Sequence, residues 1–113
     1  MILIKNAQVF APKALGKKDV LLAYDKILEI ADCIEPWRDD LTVIDAAGKM
    51  LVPGFIDQHV HIVGGGGEGG FNTRTPEFQL SKAVTSGVTT LVGLLGTDGY
   101  TKSPELLLAK TKA

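Results

Sequence analysis

The spacing of apolar and polar positions changes once along this chain. From Met1 to Val52, aliphatic and β-branched residues come in short runs: Met1 to Val9, Asp19 to Tyr24, Lys26 to Ala31, Thr42 to Asp45 and Lys49 to Val52. Between them lie turn-forming stretches, Ala11-Pro12 through Gly16-Lys17-Lys18, Asp25, Pro36 to Asp40 and Ala47-Gly48. Short runs with these boundaries predict strands, and Tyr24-Asp25-Lys26-Ile27 predicts a tight hairpin. The expected unit over residues 1–52 is a small β-domain of antiparallel ribbons.

At Pro53-Gly54 the order becomes strand, glycine-rich loop, helix, strand, helix. The strand Pro53 to Val63 carries histidines two residues apart on an apolar run. Side chains alternate along a strand, so Asp57, His59 and His61 share one face and Ile56, Gln58, Val60 and Ile62 the other. The first helix is expected to have Thr75 as N-cap, Pro76 at its first position and Glu77 in the first turn. Its apolar stripe would be Leu80, Ala83 and Val84, with Gly87 just past its end. Thr89 to Leu95 reads as a buried strand. Ser103-Pro104-Glu105 repeats the capping formula for a helix to the C-terminus, with Leu106-Leu107-Leu108 as core. This order predicts the start of a parallel α/β architecture.

Two βα units cannot close a barrel, which typically takes about 250 residues. The chain has 113 residues and its last helix lacks a C-cap, so it is expected to be the N-terminal part of a longer protein. A formal charge of -1 gives no indication of nucleic acid or an acidic membrane as a partner, and neither is expected. The first charge comes at Lys5, too early for a signal-peptide core, and no apolar run reaches the roughly 18 residues of a membrane span. Cys33, the single cysteine, has no disulfide partner within the chain and is expected to be a packed thiol. Together these features point to the cytoplasm.

The candidate chemistry lies between residues 53 and 70. Two imidazoles close together on a rigid strand can hold one divalent metal. Six of the thirteen glycines fall between Gly64 and Gly70 and would let backbone approach a ligand. The loop lacks the Gly-Lys-Ser/Thr ending of a P-loop and the spacing of a dinucleotide fingerprint, so nucleotide binding is not expected. Asp57 is expected to support by hydrogen bonding rather than ligate metal. Arg74 is expected to pair with Glu77.

The run Pro53-Gly54-Phe55-Ile56-Asp57-Gln58-His59-Val60-His61 resembles the opening metal signature of the amidohydrolase superfamily, a His-x-His pair at the end of the first barrel strand. Val43 to Val52 resembles that superfamily's passage from a small β-sandwich into the barrel. The stretches Gly64 to Gly70, Thr73 to Glu77, Val92 to Asp98 and Pro104 to Thr111 resemble the bacterial isoaspartyl dipeptidases. The resemblance implies an α/β fold, with a β-sandwich-like domain over 1–52 leading into the first two βα units of a (β/α)8 barrel over 53–113. It also implies hydrolysis of β-aspartyl dipeptides by a zinc-activated hydroxide, with two zinc ions in the intact enzyme and His59 and His61 as ligands.

By the same resemblance, Glu68 would face the substrate's α-ammonium, as a charge-assisted bond. Gly66 and Gly67 would line the pocket with backbone, and Thr97 would contact the substrate's carboxylate end. The remaining ligands and the catalytic aspartate would lie beyond residue 113. A homo-oligomer is implied, and the 113-residue chain alone is expected to be inactive. Two alternatives stand beside this reading: a dihydroorotase-like or dihydropyrimidinase-like hydrolase of cyclic amides, and a non-catalytic domain or assembly fragment.

Overall fold

A computed structural model describes residues 1–113, which divide into two compact units, Met1–Pro53 and Gly54–Ala113. The first holds strands β1 (Ile2–Phe10), β2 (Ala14–Ala23), β3 (Lys26–Ala31), β4 (Thr42–Asp45) and β5 (Met50–Leu51). The second holds β6 (Phe55–Val60), β7 (Gly65–Gly66), a 3₁₀ turn (Phe71–Thr73), β8 (Arg74–Thr75), helix α1 (Leu80–Thr85), β9 (Val88–Gly93) and helix α2 (Pro104–Lys112).

The first unit is one sheet in the order β3-β2-β1-β4, with β5 also on β1. Strands β1, β2 and β3 are antiparallel, joined at β2–β3 by the two-residue turn Tyr24-Asp25, where Tyr24 takes φ 53°. The expected hairpin is therefore present. The expectation of purely antiparallel ribbons is not met, because β4 and β5 pair with β1 in parallel. The strand β2 also begins at Ala14, inside the stretch expected to be turn. Lys17 pairs with Gln8 and Lys18 with Ala7, so the β1 ladder holds these polar residues extended against their own weak strand preference.

Asn6, at φ 58°, breaks the β1–β2 register between Ile4 and Ala7. The extra residue switches the parity of the strand. Leu3 then packs with Leu21 and Ile34, while Ala7 and Val9 pack with Val20 in a separate cluster. Beside the bulge, the buried carboxylate of Asp19 accepts the Asn6 N–H at 2.8 Å and the Ile34 N–H at 3.0 Å, and pairs with Lys5 Nζ at 3.1 Å. Cys33 departs from its expected place: it is exposed, its thiol directed at Glu35 Oε1, 3.2 Å away, while its neighbour Ile34 fills the core.

In the second unit β6 and β9 are parallel, as the βα order requires. Val60, Ile62 and Val63 form the core with half-buried Phe78, Leu91, Leu106 and Leu107. Helix α1 is shorter than expected. It begins at Leu80 with Gln79 at the N-cap, because Thr75 is taken by β8, where its Oγ1 accepts the Gly65 N–H at 3.1 Å. Of the expected stripe only Ala83 is buried, and Leu80 and Val84 are exposed. Gly87 follows the C-cap Ser86 at φ 74°, as expected of a helix end. Helix α2 matches its expected start: Ser103 Oγ accepts the Leu106 N–H at 3.2 Å, with Pro104 at the first position and Glu105 in the first turn. Leu106 and Leu107 face the core and Leu108 is exposed. The two βα units form no closed barrel.

Candidate active site

The C-terminal end of β6 brings the two histidines together. Strand geometry ends at Val60, and a turn closes with the Gly64 N–H on the His61 carbonyl at 2.9 Å. The imidazole centroids of His59 and His61 lie 5.2 Å apart, edge to face at 74°. Both residues are exposed, while Val60 and Ile62 between and beside them are buried. The apolar side of the strand thus anchors the element that presents the rings. Asp57 Oδ1 accepts the His59 N–H at 3.1 Å, the supporting position expected of it.

Gly96, after β9, meets this turn at close range. A β-carbon at Gly96 would lie 2.9 Å from Gly65 Cα and 3.1 Å from His61 Nδ1. Only a residue without a side chain lets the β9 loop pass behind the imidazole. Leu94 N–H donates to the Val60 carbonyl at 2.8 Å and ties the two strand ends together.

The glycine loop folds into the short ladder β7–β8, with Gly66 opposite Arg74. Gly66 and Gly67 have φ 81° and 99°, a region closed to most side chains. Beyond them a cleft of about 270 Å³ is lined by Gly66, Gly67, Glu68, Arg74, Thr97 and Asp98, with Phe71 and Tyr100 also at its walls. Thr97 Oγ1 donates to Glu68 Oε1 at 2.5 Å. That bond, first among the influences on it, holds the Glu68 carboxyl below the usual range. The four residues expected to bind substrate, Gly66, Gly67, Glu68 and Thr97, therefore border one cleft.

Arg74 does not pair with Glu77 as expected. Its guanidinium contacts Asp98 Oδ2 at 2.6 Å and also bonds the Thr101 hydroxyl, while Glu77 pairs with Lys110 at 3.0 Å. Asp98 is buried and accepts the Thr101 N–H at 3.1 Å and its hydroxyl at 2.5 Å. Bonding from Thr101, opposed by burial and reinforced by Arg74, keeps its carboxyl below the ordinary aspartate value. Sequence reasoning missed this cluster because Arg74 and Asp98 are distant along the chain and become neighbours only where the β7–β8 ladder meets the loop after β9, at Gly65 and Gly96.

The donor set suits a divalent metal in part. Two imidazoles are two of the four ligands a zinc site commonly needs, and no group of three or more His, Cys, Asp or Glu side chains gathers here. No helix is long and apolar enough to cross a membrane.

The sequence pattern of the amidohydrolase family matches residues 42–106. The chain is 37% identical over 108 residues to the dihydroorotase of Listeria monocytogenes serotype 4a, covering 95% of this chain and 24% of that protein. With the dihydroorotase of Caldicellulosiruptor saccharolyticus it shares 37% over 89 residues, 77% of this chain and 18% of that protein. Its structure is similar to that of the β-aspartyl dipeptidase of Fervidobacterium islandicum AW-1 in complex with the β-Asp-Leu dipeptide. There the TM-score is 0.84 and the identity 53%, over 98% of this chain and 28% of that one. L-Hydantoinase (dihydropyrimidinase) of Arthrobacter aurescens shares the fold, with a TM-score of 0.68 at 24% identity, covering 98% of this chain and 24% of that one. The chain thus spans about a fifth to a quarter of the length of the two curated relatives. With the family pattern covering more than half of its residues, this chain belongs to the amidohydrolase family.

Proposed function

We propose that this chain supplies the N-terminal part of the active site of a metal-dependent β-aspartyl dipeptidase. The observation that carries the reading is the 53% identity, over 98% of the chain, to a β-aspartyl dipeptidase with β-Asp-Leu bound. The cleft agrees with it chemically. A carboxylate held ionised by a threonine hydroxyl suits a substrate ammonium, and Glu68 at the open cleft is such a group. Glu68 would bind that ammonium, Thr97 would fix Glu68 and meet the substrate's carboxylate end, and Gly66 and Gly67 would offer backbone polar groups without side-chain hindrance.

His59 and His61 would be two ligands of a divalent metal, zinc by the chemistry of the imidazole pair. When bound, such a metal acidifies a water towards neutrality and polarises the amide carbonyl. This chain's residues then orient the dipeptide. The remaining ligands and the proton-transfer group would come from residues outside these 113, so the chain alone would bind metal weakly and turn over no substrate. We further propose that the protein acts in the cytoplasm as a homo-oligomer, with neither nucleic acid nor a membrane as partner.

The second reading, a dihydroorotase-like opening of cyclic amides, is favoured by the curated relatives at 37% identity. One comparison decides between them. The protein as its source organism makes it is weighed by intact mass, then assayed with β-Asp-Leu and with dihydroorotate. A mass far above 12.0 kDa with hydrolysis of β-Asp-Leu supports the dipeptidase. Turnover of dihydroorotate alone moves the assignment to the ring openers. A mass of 12.0 kDa with no turnover of either substrate replaces catalysis with a binding or assembly role.

A further inference from the structure

The cleft contains a cation as well as a carboxylate. Arg74 and Glu68 both line it, and nothing in their chemistry prevents an ion pair between them. Such a pair would occupy the carboxylate that a substrate ammonium needs. In the structure Glu68 is bonded to Thr97 and forms no ion pair, while the guanidinium is engaged by Asp98 and Thr101. The Arg74 stem lies against the glycine loop, so close that a β-carbon at Gly67 would come within 3.0 Å of Arg74 Cγ. The Asp98 side chain is only 4% exposed and already bonded twice by Thr101, so it is a fixed anion.

We infer that Asp98, braced by Thr101, is a positioning residue that holds Arg74 away from Glu68 and so keeps the Glu68 carboxylate open to a cationic group of the ligand. The inference gives a consequence to a buried ion pair next to Thr97, and it rests on the dipeptidase reading for the identity of that cation. Loss of the Asp98 charge releases Arg74 onto Glu68. The substrate's ammonium then competes with an internal guanidinium, which weakens binding without touching the reacting amide.

The test uses Asp98→Asn and the double variant Asp98→Asn/Arg74→Gln in the intact protein. Glutamine keeps the Cγ and Cδ atoms that pack on the glycine loop and removes only the cation. The Glu68 carboxyl is titrated by NMR on carbon-13-labelled glutamate, which needs no substrate. Its pKa is expected to fall further in Asp98→Asn and to return in the double variant. With β-Asp-Leu, Asp98→Asn is expected to raise KM about tenfold with little change in kcat, and the double variant to recover most of that loss. A Glu68 titration unmoved by Asp98→Asn, or a shift that persists in the double variant, overturns the inference. So does a KM that the second substitution fails to restore; a merely structural pair would also recover when both partners are removed, but it would leave the Glu68 titration unmoved in Asp98→Asn. If the wild type does not cleave β-Asp-Leu, the dipeptidase reading falls, and the titration alone decides whether Asp98 restrains Arg74.

Discussion

The hydroxyl of Thr97 donates to the Glu68 carboxylate at 2.5 Å across 29 residues of chain. It joins the loop after β9 to the glycine loop after β6, so two βα units act on one cleft. The hydroxyl also fixes the ionisation of the group it holds, which makes the pair measurable from either side.

Glu68→Gln is expected to raise KM for β-Asp-Leu by about tenfold or more with a smaller effect on kcat, the pattern of a lost charge-assisted contact. A des-amino analogue, which lacks the ammonium, should lose nothing. The pH dependence has a definite sign. Because Thr97 lowers the Glu68 pKa, the carboxylate should lose its charge at a lower pH than an ordinary glutamate does. Thr97→Val should move that loss to higher pH, read as the acidic limb of the binding profile.

His59→Ala or His61→Ala is expected to lower the metal content of the purified protein and to abolish turnover, since each removes one donor from an already small set. Elemental analysis after dialysis provides the measure. Full metal occupancy in both variants would remove the histidine pair from the site.

Gly96→Ala is expected to weaken metal binding about tenfold, the size typical of disturbing a ligand's support. The new β-carbon would press on Gly65 Cα and on His61 Nδ1, and backbone on one side cannot give way as a flexible side chain would. Competition with a chromogenic chelator reads the change. Gly99→Ala, at a position with open space around the new carbon, serves as the control.

What was legible in the sequence was local. Ser103-Pro104-Glu105 fixed the start of α2 because a cap needs only its own next turn. The closeness of His59 and His61 was legible from their two-residue spacing, although the strand ends at Val60, between them. Thr75-Pro76-Glu77 carried the same capping formula and misled, because Thr75 had a stronger use at Gly65 in β8. The partner of Arg74 was equally hidden: Glu77 was nearer in sequence, yet the guanidinium contacts Asp98, much farther along the chain. The parallel pairing of β4 and β5 with β1 was also missed, since strand direction depends on the path between strands and not on their alternation.

Asp19→Ala is expected to destabilise the β1–β5 sheet by about 2–3 kcal/mol, the cost of leaving buried N–H groups without an acceptor. Burial alone would raise the Asp19 pKa. The N–H groups of Ile34 and Asn6, joined by Lys5, outweigh that and lower it. A group whose folded pKa is depressed stabilises above its unfolded value, about 3.9 for aspartate. Its contribution is complete above that pH and disappears as pH falls through the lower folded value. Amide exchange at Asn6 and Ile34 reads the effect residue by residue. Both amides should lose protection in Asp19→Ala at neutral pH, while in the wild type that loss should appear only under acid conditions. Unchanged protection at both positions in the variant would show that other acceptors satisfy these amides and that the Lys5–Asp19 pair contributes little to the sheet.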